Sequence, residues 1–344
     1  MSSKTTKLDK SQYITSYNFS SFCNIVYSET VTHAQAQSKK NHHTFTLNKT
    51  ETHELYKNSV FEIKENDVIF CNTYMIEPLF EKLKHVSNLK NLKLITNQTD
   101  LRITKKIFRK KPECVSEWYS INVDFNNPKL IPIPLGLANE YDKNLNVEDF
   151  KDYQIKDKKR IKNLYLNFQE NTNYFHRTSV KKYFKKIPES VISDSNLEKK
   201  DYFQELTEST YIICPKGNGI DTHRVWESLY AGAVPVVEKN INFEKLKFPN
   251  IVVIDNFKKI KNLKHIDELY EAQKNESASN LLTIEYWVSI INENRVDSSE
   301  TFSFKDSLDE NLRILENFKN KIHKERSYKR VNTFIRKILN KFYF

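Results

Sequence analysis

The chain has 344 residues, of which 38% are hydrophobic and 12% aromatic, so it can bury the cores of two domains and is not a disordered polyelectrolyte. Its formal net charge of +11 favours an anionic ligand or surface, without choosing among nucleotide phosphates, nucleic acid and membrane. The 4 cysteines match no zinc spacing, and the sequence has no signal-peptide core and no apolar run of about 18 residues. These features predict a cytoplasmic protein without a membrane span.

Short apolar runs alternate with amphipathic segments in the N-terminal half, after a polar stretch, 1–55, that shows no clear pattern. This alternation predicts parallel β-α-β units, with a helix over 76–89 between the first two strands. The predicted strands are DVIF (67–70), LKLIT (92–96) and KLIPI (129–133). A charged, glycine-free stretch, 139–163, follows and predicts the connection between two domains.

The alternation resumes in the second half of the chain. Helices are predicted over 174–184, 197–209 and 221–231, and helices dominate after residue 258. The predicted strands are LYLNF (164–168), VIS (191–193), YIIC (211–214), VPVV (234–237) and IVVI (251–254).

We therefore predict an α/β protein with two doubly wound domains that face each other across a cleft. The first would span 1–150, with 1–55 unassigned, and the second 151–300. Residues 301–344 would form helices that either cross back to the first domain or stay peripheral. Ligands of such sheets bind beyond the carboxyl ends of the strands.

A window from Tyr211 to Glu238 contains three of the 4 glycines of the chain. Its order predicts a strand, a tight loop (KGNG), a short helix and a second strand. Gly217 and Gly219 should allow positive φ and close approach of a ligand, and Gly232 should end the helix. Asp221 should cap the helix, whose free N–H groups would form an anion site at the loop.

Arg224 and Glu227 lie three residues apart on this helix, so they should reach the cleft from one face. The arginine fork suits a pyrophosphate, and a carboxylate can accept hydrogen bonds from two ribose hydroxyls. The alternative is an ordinary β-loop-α-β unit with a solvated Arg–Glu pair. The apolar residues that should cover the opposite side are Val225, Trp226, Leu229 and Tyr230.

The segment CPKGNGIDTHRVWESLYAGAVPVVE (214–238) closely resembles the donor motif of exostosin-like glycosyltransferases, C-P-x-G-N-G-x-D-x-H-R-x-W-E-A-L. Its second half is also similar to the donor motif of α1,3-fucosyltransferases. Three more segments resemble the exostosin-like family, which gives a match over roughly residues 60–290. They are LITNQTD (94–100), where Gln-Thr replaces the usual Asn-Ser, PKLIPIPLGLANEYD (128–142) and LYLNFQENTNYFHR (164–177).

The resemblance implies a GT-B fold, in which two Rossmann-like domains hold a nucleotide-sugar donor mainly through the second domain and the acceptor through the first. Glu227 would then bind the ribose, and Arg177 and Arg224 would face the donor phosphates. The remaining residues of the implied donor site are Lys216, Gly217, Asn218, Gly219, Asp221 and His223.

The sequence contains no Asp-x-Asp, the motif with which metal-dependent GT-A transferases hold their ion. We therefore predict metal-independent transfer, without a cofactor beside the nucleotide-sugar co-substrate, in which basic groups neutralise the leaving diphosphate. An inverting transfer needs a general base, for which we predict Asp100 because it follows the strand at 92–96. Asp100 could instead cap the next helix, and a retaining mechanism stays open. The further candidates for the base are Glu77, Glu117, His42 and His43.

The predicted reaction moves a sugar to a glycan or a lipid-linked saccharide. One alternative is another nucleotide-dependent transferase on the same fold. The other is a basic nucleic-acid-binding protein, but no nucleic-acid-binding signature is visible and we predict no such partner. Residues 327–344 predict an amphipathic helix with basic flanks. It would pack on the protein or contact an anionic membrane, which would place the protein peripherally at the inner face.

Overall fold

The protein is an α/β structure, described here from a computed structural model. The described residues are 8–86, 88–152, 160–246, 248, 250–274, 280–293 and 300–343, with side chains described up to residue 327. Their strands are β1 (Ile25–Thr32), β2 (Thr44–Lys49), β3 (His53–Asn58), β4 (Val60–Lys64), β5 (Val68–Asn72), β6 (Leu92–Asn97), β7 (Val115–Ser120), β8 (Leu130–Pro132), β9 (Ile161–Leu166), β10 (Ser190–Ile192), β11 (Ser209–Ile213), β12 (Val234–Glu238), β13 (Val252–Ile254) and β14 (Thr301–Lys305). Their α-helices are α1 (Ser16–Ser21), α2 (His33–Lys39), α3 (Ile76–Leu83), α4 (Lys105–Phe108), α5 (Val147–Asp152), α6 (Tyr174–Phe184), α7 (Lys199–Glu208), α8 (His223–Tyr230), α9 (Ile241–Lys245), α10 (Leu263–Gln273), α11 (Ile284–Asn292) and α12 (Leu308–Tyr343).

The first large sheet is mixed and has the order β2-β3-β1-β5-β6-β7-β8. Strands β1, β5, β6, β7 and β8 are parallel, whereas β3 is antiparallel to β1 and β2 is antiparallel to β3. Every residue of β5 is buried, which explains its continuous apolar run, since a central parallel strand is covered on both faces. The carboxyl ends of the parallel strands consequently lie along one edge of this sheet.

The second large sheet is entirely parallel and has the order β10-β9-β11-β12-β13. If these strands are numbered 1 to 5 in chain order, with β9 as strand 1, the order is 2-1-3-4-5. This is a doubly wound order and is compatible with a Rossmann-like arrangement. The order reverses between β9 and β11, and such a switch point opens a crevice at the carboxyl ends of the two strands. A ligand site is therefore expected beside the loops that follow β9 and β11.

The predicted strands and helices of the second half agree closely with the structure, and α6 has the predicted bounds, 174–184. In the first half, the helix predicted over 76–89 ends earlier, at Leu83. The unassigned stretch 1–55 contains strands of the first sheet, including β1. Strand β1 buries Glu29, whose carboxylate is held by Ser20 and Lys39. Its sequence therefore lacks the apolar pattern of a core strand.

The C-terminal part of the chain returns to the first sheet. Strand β14 pairs with β4 in an antiparallel ladder, and α12 buries Ile314 and Phe318 in the apolar cluster beneath the first sheet. The predicted helix over 327–344 forms the end of α12, up to Tyr343. Its apolar stripe lies outside the described side chains, and so does residue 344. Within the described ranges, none of the helices is both long and apolar enough to cross a membrane.

Candidate functional site

A cleft of about 910 Å³ lies where the carboxyl ends of the two large sheets meet. The first sheet lines it with residues that follow β5, β6, β7 and β8. The second sheet lines it with the loops after β9, β10 and β11, on both sides of the switch point. These contributions are Tyr74, 97–100, Asn122 and Leu135 from the first sheet, and Asn167, Gln169, 195–199 and 217–219 from the second.

Most of the residues predicted from sequence line this cleft. They are Asp100, Arg177, Gly217, Asn218, Gly219, Asp221, His223, Arg224 and Glu227. Lys216 is not among the residues that line it. Its exposed side chain borders a neighbouring cavity of about 520 Å³ instead. The further base candidates lie elsewhere: Glu77 pairs with Lys110, Glu117 pairs with Lys93, and His42 and His43 contact each other.

The glycines of the loop serve a different purpose from the predicted one. Neither Gly217 nor Gly219 has positive φ, so that prediction is wrong, whereas Gly232 does at +76° and follows the last residues of α8 as predicted. A Cβ on Gly217 would lie 3.0 Å from Nη2 of Arg177, and one on Gly219 would lie 2.8 Å from Oδ1 of Asn122. These two glycines make room for side chains of the protein itself.

Arg177 holds the switch point together. Its Nη1 donates to the carbonyl of Gln169 after β9 (2.9 Å), while Nε and Nη2 donate to the carbonyls of Lys216 (3.1 Å) and Pro215 (3.0 Å) after β11. Burial, and then the charge of Arg224, lower the pKa of Arg177 to about 9. A guanidinium has five N–H donors, and these three hydrogen bonds use three of them. The contact of Arg177 with the donor phosphates, through the other N–H groups, stays a prediction.

Asn122, which the sequence did not single out, joins the first sheet to the glycine loop. Its Oδ1 accepts hydrogen bonds from the N–H groups of Ile220 (2.7 Å) and Asp221 (3.2 Å), and its Nδ2 donates to the carbonyl of Thr99 (3.2 Å). Its backbone has positive φ, +56°, which asparagine tolerates better than most residues. An isolated asparagine at the end of a strand carries no signal of this role.

Asp221 is not the N-cap of α8, because the cap position belongs to Thr222. The buried Asp221 carboxylate instead accepts hydrogen bonds from Leu135 N–H (3.0 Å), Trp226 Nε1 (2.9 Å) and Thr222 N–H (2.7 Å). It thereby fastens α8 to the segment after β8, and burial raises its pKa to about 6. Thr222 Oγ1 is buried without a hydrogen-bond partner among the described residues, so no side chain caps this helix terminus.

Arg224 and Glu227 both line the cleft, and Tyr202 of α7 connects them. Nη1 of Arg224 donates to Tyr202 Oη (3.0 Å), which donates to Oε2 of Glu227 (2.8 Å). The Arg224 guanidinium also lies 5.3 Å from the centre of the Tyr202 ring. Oε1 of Glu227 accepts a hydrogen bond from Leu145 N–H (3.1 Å), and only 2% of this residue is exposed. Sequence reasoning missed Tyr202, because nothing in α7 shows which loop the helix faces.

His223 is held at the wall of the cleft by the segment that follows β8 of the first sheet. Its Nδ1 lies 2.8 Å from the carbonyl oxygen of Gly136, which can only accept, so Nδ1 carries a proton. In the neutral ring, Nε2 is then an acceptor. Gly136 has a φ of +73°, and a Cβ there would lie 2.1 Å from the carbonyl oxygen of Ile14. Only glycine fits at this position, so the backbone that orients His223 depends on it.

The two arginines of the cleft carry positive charge that no ion pair among the described residues neutralises. Neither Arg177 nor Arg224 forms an ion pair with any carboxylate in the described part of the chain. The charge of Arg224 contributes to the lowered pKa of Arg177, after the larger effect of burial. Burial also acts to lower the pKa of Arg224, but Tyr202 and Glu227 more than offset it, so this pKa is raised. A buried charge without an ion pair is costly, and Arg177 is such a charge, so this wall of the cleft favours an anionic ligand.

Asp100 is exposed in the cleft and makes no hydrogen bond or ion pair with the described residues. The next helix, α4, begins at Lys105 and is capped by Thr104, so the alternative in which Asp100 caps it is wrong. The negative charge of Asp100 acts on Tyr74 and Arg177, which places it between the first sheet's edge and the switch point.

Comparison with known proteins does not assign the chain to a family. No protein-family model matches it, and a search of the curated proteins finds no match. Among the described residues, no group of three or more His, Cys, Asp or Glu side chains could hold a metal ion. The resemblance to exostosin-like glycosyltransferases therefore rests on the sequence motifs and enters the function as a proposal.

Proposed function

We propose that the protein is a glycosyltransferase, which moves a sugar from a nucleotide-sugar donor to a saccharide acceptor on a GT-B arrangement of two Rossmann-like domains. The observation that carries this proposal is the pair of guanidinium groups at the switch point of the second sheet, neither of which forms an ion pair with a described carboxylate: Arg177 is buried and Arg224 is partly buried. A nucleoside diphosphate brings negative charge to this place, beside a helix N-terminus without a side-chain cap. The exostosin-like motif at 214–238 covers the same residues.

In the proposed complex the diphosphate lies against Arg224 and the start of α8, and the ribose hydroxyls donate to Glu227. Each carboxylate oxygen of Glu227 already accepts one hydrogen bond, and each has a second lone pair for the ligand. Tyr202 fixes both side chains, so they are oriented before the donor binds. Such preorganisation lowers the entropy that binding costs.

The proposed reaction inverts the sugar. Asp100 accepts the proton of an acceptor hydroxyl while that oxygen forms a bond to the anomeric carbon. The bond from the anomeric carbon to the diphosphate breaks, and the nucleoside diphosphate leaves with the electron pair. The guanidinium groups and the terminus of α8 stabilise the charge that develops on it, which removes the need for the metal ion of Asp-x-Asp enzymes.

A turnover assay tests the proposal. The protein is incubated with UDP-, GDP-, CMP- and dTDP-sugars, with and without saccharide acceptors, and nucleotide release and products are measured. Asp100→Asn should lower transfer by about 100-fold or more and leave nucleotide affinity unchanged. Glu117→Gln, which alters a carboxylate outside the cleft, is the matched control and should retain transfer. Phosphorylated acceptor would indicate another transferase, and the absence of turnover with every donor would count against the proposal.

A further inference from the structure

A second groove, of about 1180 Å³, runs between α3 and α12. Tyr74 lines both this groove and the cleft, so the two cavities meet at its side chain. The groove has an apolar lining formed by Met75, Pro78, Phe304, Ile314 and Phe318. An elongated molecule that occupies the cleft near Asp100 could therefore continue past Tyr74 along α12.

Three basic side chains of the groove form no ion pair with a described residue, whereas most of its acidic side chains do. Glu77 pairs with Lys110 and Glu81 pairs with Lys84. Glu310 accepts a hydrogen bond from Ser307 N–H, and the charges of Lys82 and Arg313 act on it without an ion pair to Arg313. The basic side chains Arg313, Lys321 and Lys324 line the same groove and form no ion pair with a described carboxylate.

These three cations lie on one face of α12, at intervals of eight and three residues. Since a helix rises about 1.5 Å per residue, the row from Arg313 to Lys324 extends over about 16 Å. A single phosphate headgroup would meet only one end of such a row. A chain with an acidic group on successive units would meet all of it.

The position of Tyr74 connects this row to the reaction. Tyr74 Oη donates to Oε2 of Glu325 (2.7 Å), and Nζ of Lys321 lies 5.4 Å from the centre of its ring. The charge of Asp100 also acts on the Tyr74 hydroxyl and raises its pKa, after the larger effects of burial and Glu325. Tyr74 is thus held by α12 at the point where the groove reaches the carboxylate that we propose as the base.

We propose that the groove between α3 and α12 binds the extended arm of the acceptor, and that this acceptor is an acidic glycan chain. The C–H faces of its sugar rings pack on the apolar lining and on Tyr74, and its carboxylates pair with Arg313, Lys321 and Lys324. This inference rests on the proposed glycosyltransferase activity and names the class of acceptor that the activity uses.

Binding of a labelled oligogalacturonate to the full chain tests this inference, with the carboxyl-reduced neutral oligosaccharide of equal length as its counterpart. The acidic probe should bind about tenfold or more tightly than the neutral one, and its affinity should fall with salt. The double variant Arg313→Gln with Lys324→Gln should lose this preference. The matched control is Lys319→Gln with Arg326→Gln, which removes the same charge from exposed positions of α12 outside the groove and should keep it.

Several outcomes would overturn the inference: equal affinity for the two probes, no binding of either, or equal losses in the two double variants. Binding to vesicles of anionic phospholipid that depends on Arg313 and Lys324, without binding of the acidic probe, would replace the glycan with a lipid. Nucleotide affinity is measured in the same preparations and should be unchanged in both double variants. If the wild type binds no nucleotide, the proposed activity fails, while the probe comparison still decides the ligand of the groove.

Discussion

Replacing Arg224 with glutamine should separate ligand binding from folding in the cleft. The guanidinium donates one hydrogen bond, to Tyr202 Oη at 3.0 Å, and lies 5.3 Å from the centre of that ring. Losing them costs about 1 kcal/mol for the hydrogen bond and about 0.5–1 kcal/mol for the cation–π contact. Removing a partly buried cation without an ion pair offsets some of this loss. The free energy of unfolding should therefore change by less than about 2 kcal/mol.

The same substitution should weaken nucleotide binding much more. A hydrogen bond between a guanidinium and a phosphate contributes about 1.5–3 kcal/mol, so Kd should rise about 10- to 150-fold. Isothermal titration with the nucleotide that the wild type binds best measures the change. Lys216→Gln is the matched control, because it removes a positive charge whose side chain lies on the same loop but outside the cleft, and Kd should stay within about twofold. Unchanged affinity in Arg224→Gln, or equal losses in the two variants, would refute the assignment of Arg224.

Three further predictions address the loop, the buried carboxylate and the metal. Gly219→Ala should lower the free energy of unfolding by about 1–3 kcal/mol, because the new Cβ displaces the Asn122 side chain from two backbone N–H groups. Denaturant titration measures this, and an unchanged free energy of unfolding would contradict it. The pKa of Asp221 in the folded protein, about 6, lies above the ordinary value of 3.8, so the folded state favours the protonated carboxyl. The contribution of Asp221 to the free energy of unfolding is therefore full below pH 3.8 and is lost as the pH rises through 6. The cost of Asp221→Asn should therefore shrink by up to about 3 kcal/mol between about pH 4 and pH 7, and a cost independent of pH would show that burial does not raise this pKa. Transfer should survive excess EDTA, because the sequence lacks Asp-x-Asp; activity that disappears in EDTA and returns with manganese would show that a metal is required.

The parts of the fold that the sequence predicts are those whose burial shows in local pattern. The continuous apolar runs of β5 and β11 and the period of α6 are local, and they reappear in the structure with small shifts. Strand β1 could not be predicted in this way, because it buries Ser28 and Glu29. Their burial is possible only through hydrogen bonds to residues on other elements, which the sequence around β1 does not reveal.

The candidate site shows the same division. The motif at 214–238 located the loop and α8, but not what the glycines accommodate, since a glycine can be needed for positive φ or for space. Asn122 and Tyr202 come from distant elements and reach the site only through tertiary packing. The cap predicted at Asp221 was wrong because this carboxylate has other donors, the N–H of Leu135 in the segment after β8 and Nε1 of Trp226 on α8.

The central claim is that the cleft binds a nucleoside diphosphate through its phosphates. Titration of the wild-type protein with UDP, GDP and dTDP, each beside its parent nucleoside, tests this claim most directly. We expect at least one of the nucleotides to bind, and its nucleoside to bind about 100-fold or more weakly, because in the proposed complex the guanidinium groups of Arg177 and Arg224 and the start of α8 contact the phosphates. Binding of none of the nucleotides, or equal affinity of a nucleotide and its nucleoside, would contradict the account.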